Sequence, residues 1–485
     1  VLEVELKLEV PEEAAAALGA SEILSGEPKV QNLHAIYFDT ADHALAKAGF
    51  SLRIRRAGDK RIQTIKANGT AGVGLFVRPE WEMPVSDDVP VLDHTTPLRA
   101  MLGDLADEIA PLFEVNVERL TWIVHEGDAE IELVLDGGEV ISGARRDRIC
   151  EIELELRQGA SAPLFALARK IDAHVPLHLG VLSKSERGYR LTKRPRSSFK
   201  SGKVTLQPEM NAAEAFQHIA QTCIRQFRLN ENALRTEASV EALHQARVAL
   251  RRLRSAFSIF KPLFENDEKA TALREELRSL AAELGEARNL DVLVERAAPG
   301  PLRDRLQAAR EKAYAQVEAA LGSPRARWAM LDLVQWLLDG EWTRNAETST
   351  RREEPARDFA EAALDRVRRK VKKDGRKLAT AHDEARHTMR KDAKKLRYAS
   401  EFFAALFDDK RARRRHKRFL SALESLQDDL GALNDLASAP DELRKLGLEA
   451  DVDARALLGD GRKKALLCAA AEAHDDLCDA KRFWR

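Results

Sequence analysis

The chain has 485 residues, 44% hydrophobic and 33% charged, which predicts a soluble globular protein of two to four domains. Four scattered cysteines (Cys150, Cys223, Cys468, Cys478) show no CxxC or metal-finger spacing, and no run of ~18 apolar residues offers a membrane span. That excludes a zinc-finger module and a spanning helix, and with no secretory leader pattern it predicts a protein of the reducing cytoplasm. The 79 basic and 79 acidic residues cancel, but unevenly: residues 1–200 carry 25 Lys and Arg against 32 Asp and Glu, and the remainder 54 against 47. An acidic first part and a basic second part predict different tasks.

The opening Val1–Leu8 stretch alternates like a strand, with Glu3, Glu5 and Lys7 on one face and Val4, Leu6 and Leu8 on the other. A short helix follows from Pro11 to Leu18, then a strand Ala35–Thr40 running into an Asp-Thr turn. Leu52–Arg55 puts Arg53 and Arg55 on one face, Arg61–Ala67 carries Lys66, and Glu80 and Glu82 alternate around Trp81. Leu98–Ile109 reads as a helix and Phe113–Val124 as a strand bearing Arg119. Glu130–Asp136 alternates again, and Asp136-Gly137-Gly138 reads as a hairpin turn. Arg148–Leu156 sets Glu151, Glu153 and Glu155 on one face, Pro163–Ala173 is helical, and a segment with Lys184 closes the region. Charged faces of mixed sign on at least five antiparallel strands predict an α+β domain whose sheet converges on a tunnel of Arg, Lys and Glu. Such a lumen suits a triphosphate with a divalent cation: cations take phosphate oxygens and carboxylates hold the metal.

The ordered set resembles the CYTH superfamily of triphosphate tunnel enzymes: Glu3-x-Glu5-x-Lys7, Tyr37-Phe38-Asp39-Thr40, Arg53-x-Arg55, Lys66, Glu80-x-Glu82, Arg119, Glu130-x-Glu132, Glu151-x-Glu153 and Lys184. The resemblance implies an antiparallel β-tunnel over residues 1–195. It also implies Mg²⁺ or Mn²⁺ on Glu3, Glu5, Glu130, Glu132, Glu151 and Glu153. Lys7, Arg53, Arg55, Lys66, Arg119 and Lys184 would bind phosphates, and Lys7, Tyr37 and Lys66 would serve the chemistry, with the Tyr37–Lys66 pair placed to protonate the leaving group. The register Glu151/Glu153 against Glu153/Glu155 stays open, and Asp136 is either a further carboxylate of the site or only part of its turn.

Lys193–Gly202 has no period, and residues 196–206 are read as a linker. From about Met210 the pattern is helical and it repeats. His244-x2-Arg247-x3-Arg251-Arg252-x-Arg254 returns as His387-x2-Arg390-x3-Lys394-Lys395-x-Arg397, an offset of 387 − 244 = 143 residues. Leu284-Gly285-x3-Asn289 likewise matches Leu430-Gly431-x2-Asn434. At ~100° per residue the first helix sets His244, Arg247, Arg251 and Arg254 opposite Leu250, Leu253 and Phe257. Two such basic faces would line a positive groove. The Arg366–Lys373 cluster either extends this surface or is a solvated helix face.

This repeat resembles the CHAD domain, implying an all-α domain over 207–485 built of two repeated helical bundles, about 207–345 and 346–485, that binds inorganic polyphosphate through the repeat's His, Arg and Lys. Together the resemblances imply a cytoplasmic hydrolase cleaving inorganic tripolyphosphate to pyrophosphate and phosphate. Thiamine or nucleoside triphosphatase, class IV adenylyl cyclase and a non-catalytic polyphosphate-binding scaffold are the alternatives. No membrane partner is expected, and nucleic acid is disfavoured because the repeat lacks aromatic interleaving.

Overall fold

A computed structural model describes residues 4–19, 21, 23–67, 80–93, 96–456 and 463–485. The chain forms two compact units, one of residues 1–197 with 322–339 and the other of 198–321 with 340–485.

The first unit is built on strands β1 (Glu5–Glu9), β2 (Lys29–Asp39), β3 (Phe50–Ala57), β4 (Lys60–Ala67), β5 (Glu80–Pro84), β6 (Ala110–Glu126), β7 (Ala129–Ser142), β8 (Arg145–Gln158) and β9 (His178–Leu179). They make one antiparallel sheet in the order β5-β4-β3-β2-β6-β7-β8-β1-β9. Helices α1 (Glu12–Gly19), α2 (Ala44–Lys47), α3 (Pro97–Leu102), α4 (Ala162–Asp172) and α5 (Lys184–Leu191) accompany it. Alternation places Leu6, Leu8, Ile152 and Leu154 in the core, while their charged neighbours Glu5, Lys7 and Glu153 point the other way. A second apolar layer, including Phe38, Leu52, Ile54 and Ile65, packs with Leu45 of α2 and Leu98 of α3. The helix expected over 98–109 is shorter: α3 ends at Gly103, where φ is 55°, and a 3-10 segment continues to Glu108.

Asp136-Gly137-Gly138 is not a turn. It lies in the middle of β7, with Asp136 opposite Arg119 on β6 and Glu151 on β8. Glycine is needed at 138 because a Cβ there would stand 2.0 Å from the Asn116 carbonyl oxygen, so the glycine lets β6 approach closely.

The second unit contains α6 (Ala212–Thr236), α7 (Val240–Ile259), α8 (Glu268–Arg296) and α9 (Pro301–Leu321). After α10 (Pro324–Asp339) it resumes with α11 (Ser349–Glu353), α12 (Ala356–Gly375), α13 (Asp383–Phe402), α14 (Lys410–Lys445), α15 (Val452–Ala456) and α16 (Lys463–Asp479). The 143-residue offset carries α7 onto α13 at both ends (240 + 143 = 383; 259 + 143 = 402). The equivalent residues Phe260 and Phe403 meet with ring centroids 5.7 Å apart, and Phe260 stacks on Phe359 at 4.7 Å. The segment after Ser197 joins this unit rather than hanging free: the Phe199 N–H donates to Asn230 Oδ1 at 2.9 Å, Asn230 Nδ2 donates back to the Phe199 carbonyl at 2.8 Å, and Val204 and Leu206 are buried. No helix among the described residues is long and apolar enough to cross a membrane.

Helix α10 falls within the span read as helical domain, yet it packs in the first unit against α4 and β9. Asp172, 5% exposed, accepts from Arg327 Nε at 2.6 Å and Nη2 at 3.1 Å, from Trp328 Nε1 at 2.8 Å and from the Leu177 N–H at 2.8 Å. Arg169 of α4 donates to Asp332 and Gln335 of α10.

Candidate functional site: a charged tunnel and a basic groove

Side chains from β1 to β6, β8 and the start of α5 line one cavity of about 240 Å³. Because Glu5 and Lys7 near one end of the strand order share it with Glu80 and Glu82 at the other, the sheet must curl around it. All six cations expected to hold phosphate line it: Lys7, Arg53, Arg55, Lys66, Arg119 and Lys184. Five carboxylates face them: Glu5, Glu80, Glu82, Glu153 and Glu155.

At one end Asp136, Glu151 and Glu153 gather with an oxygen of each within 4.8 Å of the others. Like charges so close are unfavourable unless compensated. Here Arg119 grips Asp136 through Nε at 2.8 Å and Nη2 at 2.6 Å and reaches Glu153 at 3.1 Å. Lys184 pairs with Asp136 at 2.7 Å, Glu153 at 3.0 Å and also Glu151, while Lys7 pairs with Glu151 at 3.1 Å and with Glu153. Lys184 is delivered by the start of α5, whose capping box fixes the entry: Ser183 Oγ accepts from the Glu186 N–H at 3.2 Å and Glu186 accepts from the Ser183 N–H at 2.9 Å. Burial opposes charge on every member of this cluster. The neighbouring cations nevertheless win, holding Glu153 well below the usual carboxylate range and Asp136 and Glu151 below it. The same carboxylates push Lys7 above and Lys184 well above the ordinary amine value. Glu5 goes the other way, raised by burial and by the Glu153 charge.

Tyr37 points into the cavity from β2, its ring stacked on Phe113 at 4.7 Å. Burial raises its phenol, but Arg53, which donates to Tyr37 Oη at 3.5 Å, brings it below the ordinary value with help from Lys66 and Lys184. The remainder of the Tyr37–Thr40 motif is structural. Asp39 is buried, accepting from the Thr40 and Leu45 N–H groups at 2.7 and 2.8 Å and from Tyr189 Oη at 2.8 Å.

The structure sorts the expected carboxylates. Glu5 and Glu153 line the cavity, Glu151 stands beside Glu153, and Glu3 lies outside the described residues. Glu155 also lines the cavity and pairs with Arg157 at 2.8 Å, while Glu151 joins Glu153 in the carboxylate trio. Glu130 and Glu132 do not line the cavity, and Glu132 is paired with Arg157 at 2.8 Å. Asp136 is the acidic partner that the sequence left open.

The helical unit holds a larger cavity of about 730 Å³ between α7, α8, α13 and α14. Ten Lys and Arg line it against two carboxylates, Glu275 and Asp435, which are engaged by Arg278 at 2.8 Å and Arg296 at 3.7 Å. Arg247, Arg251, Arg254, His387, Arg390, Lys394 and Lys395 come together there as the repeat suggested. His244 is outside the lining, and Arg252 and Arg397 both turn to Glu401, Arg252 also lying over the Phe402 ring at 5.0 Å. Arg274, Arg278 and Arg296 of α8 join the groove without any signal in the repeat. In the Arg366–Lys373 cluster, Arg366 and Arg368 are spent on the carbonyls of Ile259 and Cys478.

Residues 2–189 match the CYTH domain and residues 218–444 the CHAD domain. The chain carries both. Over 162 residues it is 32% identical to an inorganic triphosphatase of Haemophilus influenzae, a match covering 32% of this chain and 44% of that one. The chain therefore spans less than half of that relative's length. An uncharacterized protein of Mycobacterium tuberculosis is 28% identical over 438 residues, 82% of each chain. A CHAD domain from the plant Ricinus communis is 26% identical, covering 59% of this chain and 98% of that one with a TM-score of 0.49.

Proposed function

We propose that the tunnel hydrolyses inorganic tripolyphosphate to pyrophosphate and phosphate with Mg²⁺ or Mn²⁺, and that the helical groove binds inorganic polyphosphate. The observation carrying the first part is one cavity lined by six cations and five carboxylates, one of which, Glu153, also belongs to the Asp136–Glu151–Glu153 trio. The donor set fits a hard divalent cation: all ligands are carboxylate oxygens, and Glu151 Oε2 is buried without a hydrogen-bond partner. Asp136, Glu151 and Glu153, with Glu5 nearby, would hold the metal, which when bound neutralises phosphate charge and lowers the pKa of a coordinated water.

The chain's own residues do the rest. Arg53, Arg55, Lys66 and Arg119 hold the phosphate oxygens, with Arg offering paired donors. Water oxygen adds to the terminal phosphorus while the bond to the bridging oxygen breaks, Tyr37 gives that oxygen a proton with Arg53 easing its release, and the proton shed by the attacking water returns through solvent to the Tyr37 phenolate. An inorganic substrate is favoured because Tyr37 is the one aromatic side chain among the described lining residues, and its ring is already stacked on Phe113, so the described lining offers no second aromatic platform for a base or thiamine ring. The named activity of the Haemophilus influenzae relative supports the same reading.

The test is phosphate release from tripolyphosphate with and without Mg²⁺ or Mn²⁺, for wild type and Glu5→Ala. Metal-dependent release that falls ~100-fold or more in the variant is the expected result. Faster turnover of thiamine triphosphate or ATP would move the substrate assignment, and cyclic AMP from ATP would make the tunnel a cyclase. Binding without turnover would reduce the protein to a polyphosphate scaffold.

A further inference from the structure

The two repeats present the same positions to the groove but not the same chemistry. Arg247 corresponds to Arg390 and Arg251 to Lys394 (247 + 143 = 390; 251 + 143 = 394). In the first repeat Arg247 is anchored, donating from Nη1 to the Leu284 carbonyl at 2.8 Å. Gly285 makes room for it, since a Cβ there would stand 3.1 Å from that nitrogen. The second repeat has no such anchor: Gly431 meets nothing within 4 Å, and Arg390 Nε is buried without a partner, as is Arg251 Nε.

Lys394 sits among these groups. Arg390 faces it from its own helix and Arg247 and Arg251 from α7. Lys391, Lys395 and Tyr398 of α13 and Arg274, Arg278 and Arg296 of α8 line the same cavity. The one carboxylate that α14 turns toward it, Asp435, is shared with Arg296. The Lys394 amine forms no ion pair or hydrogen bond among the described residues. An ammonium can escape such crowding by shedding its proton, whereas a guanidinium cannot.

We propose that a polyanion entering the helical groove is bound together with one proton taken up by Lys394, which makes this lysine the residue that sets how groove affinity varies with pH. The proposal rests on reading the groove as a polyphosphate site. Burial, then Arg390 and Arg251, press the free amine down to about 7. A phosphate chain brings the opposite charge and restores the ammonium. The first half of the groove is then a fixed receptor and the second a receptor that charges on demand.

The experiment is calorimetric titration of the full chain with long-chain inorganic polyphosphate at pH 8, in two buffers of different ionisation enthalpy. Wild type is expected to take up ~1 proton per bound site, with affinity falling about tenfold per pH unit above 7. Lys394→Arg should bind with no such uptake and a flat pH profile. It copies the residue at the equivalent position of the first repeat, so the fold has a precedent for it. Lys394→Met should bind more weakly than wild type at pH 7, without such proton uptake and with a flat pH profile. Protons taken up by groups other than residue 394 appear in every protein and cancel in the difference. Equal uptake in wild type and Lys394→Arg, or none in wild type, would overturn the proposal while leaving the groove a polyphosphate site. No binding by any of the proteins would overturn both.

Discussion

The tunnel and the groove are both lined with Lys and Arg, but they stabilise those charges in opposite ways. In the tunnel Lys7, Lys66, Arg119 and Lys184 pair with carboxylates of the same unit, and buried Lys7 and Lys184 are pushed above the ordinary amine value by Glu151, Glu153 and Asp136. In the groove ten cations share two carboxylates, so burial and mutual repulsion lower Lys395, bring Arg247 to about 10 and bring Lys394 to about 7. One residue type thus shifts in both directions within one chain. The tunnel carboxylates compensate most of its cations, whereas in the groove cations outnumber carboxylates ten to two.

The largest effects follow from breaking the tunnel's compensation. Asp136→Asn leaves Arg119 and Lys184 facing each other over a buried neutral amide. Removing one partner of a buried pair costs ~3 kcal/mol, and losing an essential group of the site costs ~100-fold or more in rate. Thermal melting and tripolyphosphate hydrolysis of the same preparation measure both. A variant that melts and turns over like wild type would remove Asp136 from the site.

Next in size is the helix that the tunnel unit takes from a distant part of the chain. Arg327→Ala removes two of the four donors on buried Asp172, and the first unit is expected to lose ~3 kcal/mol. A fragment of residues 1–197 lacks α10 altogether and should melt below the full chain's first transition. Equal melting of fragment and full chain would show that α10 adds nothing to the tunnel.

Much of this was readable in the sequence because the signals were periodic. Alternation located the faces that carry Glu5, Lys7, Arg53, Arg55, Lys66, Arg119 and Glu153, the family resemblance supplied Lys184, and the 143-residue repeat located α7 and α13. What escaped depended on partners that no local pattern specifies. Asp136-Gly137-Gly138 has the composition of a turn, and only the close approach of β6 shows why glycine belongs in that strand. The repeat motif named Arg252 beside Arg251, yet helical phase put only Arg251 on the basic stripe, and Arg252 is drawn to Glu401. Nor does an amphipathic helix announce what it packs on: α10 reads as part of the helical domain, whereas Arg327 and Trp328 dock it on Asp172 of the first unit.

The smallest effect has the opposite sign in the two regions. Removing a cation from the groove should stabilise the anion-free protein: Arg251→Gln is expected to raise its melting temperature by about 2 °C while weakening polyphosphate binding. For Lys394 the direction with pH follows from its values. The amine lies at about 7 in the folded protein, against 10.5 as the ordinary value, so between these limits the unfolded chain binds the extra proton. Stability without anion therefore rises with pH across that window through this group, and its penalty is present in full below 7. Lys7 and Lys184 remain charged over the lower part of the window, so the rise between pH 7 and 9 belongs to the groove. Denaturant unfolding at pH 7 and 9 reads it: the increase should vanish in Lys394→Met and be offset when polyphosphate is added. An increase that persists in Lys394→Met would assign it to another group and leave the contrast between tunnel and groove resting on geometry alone.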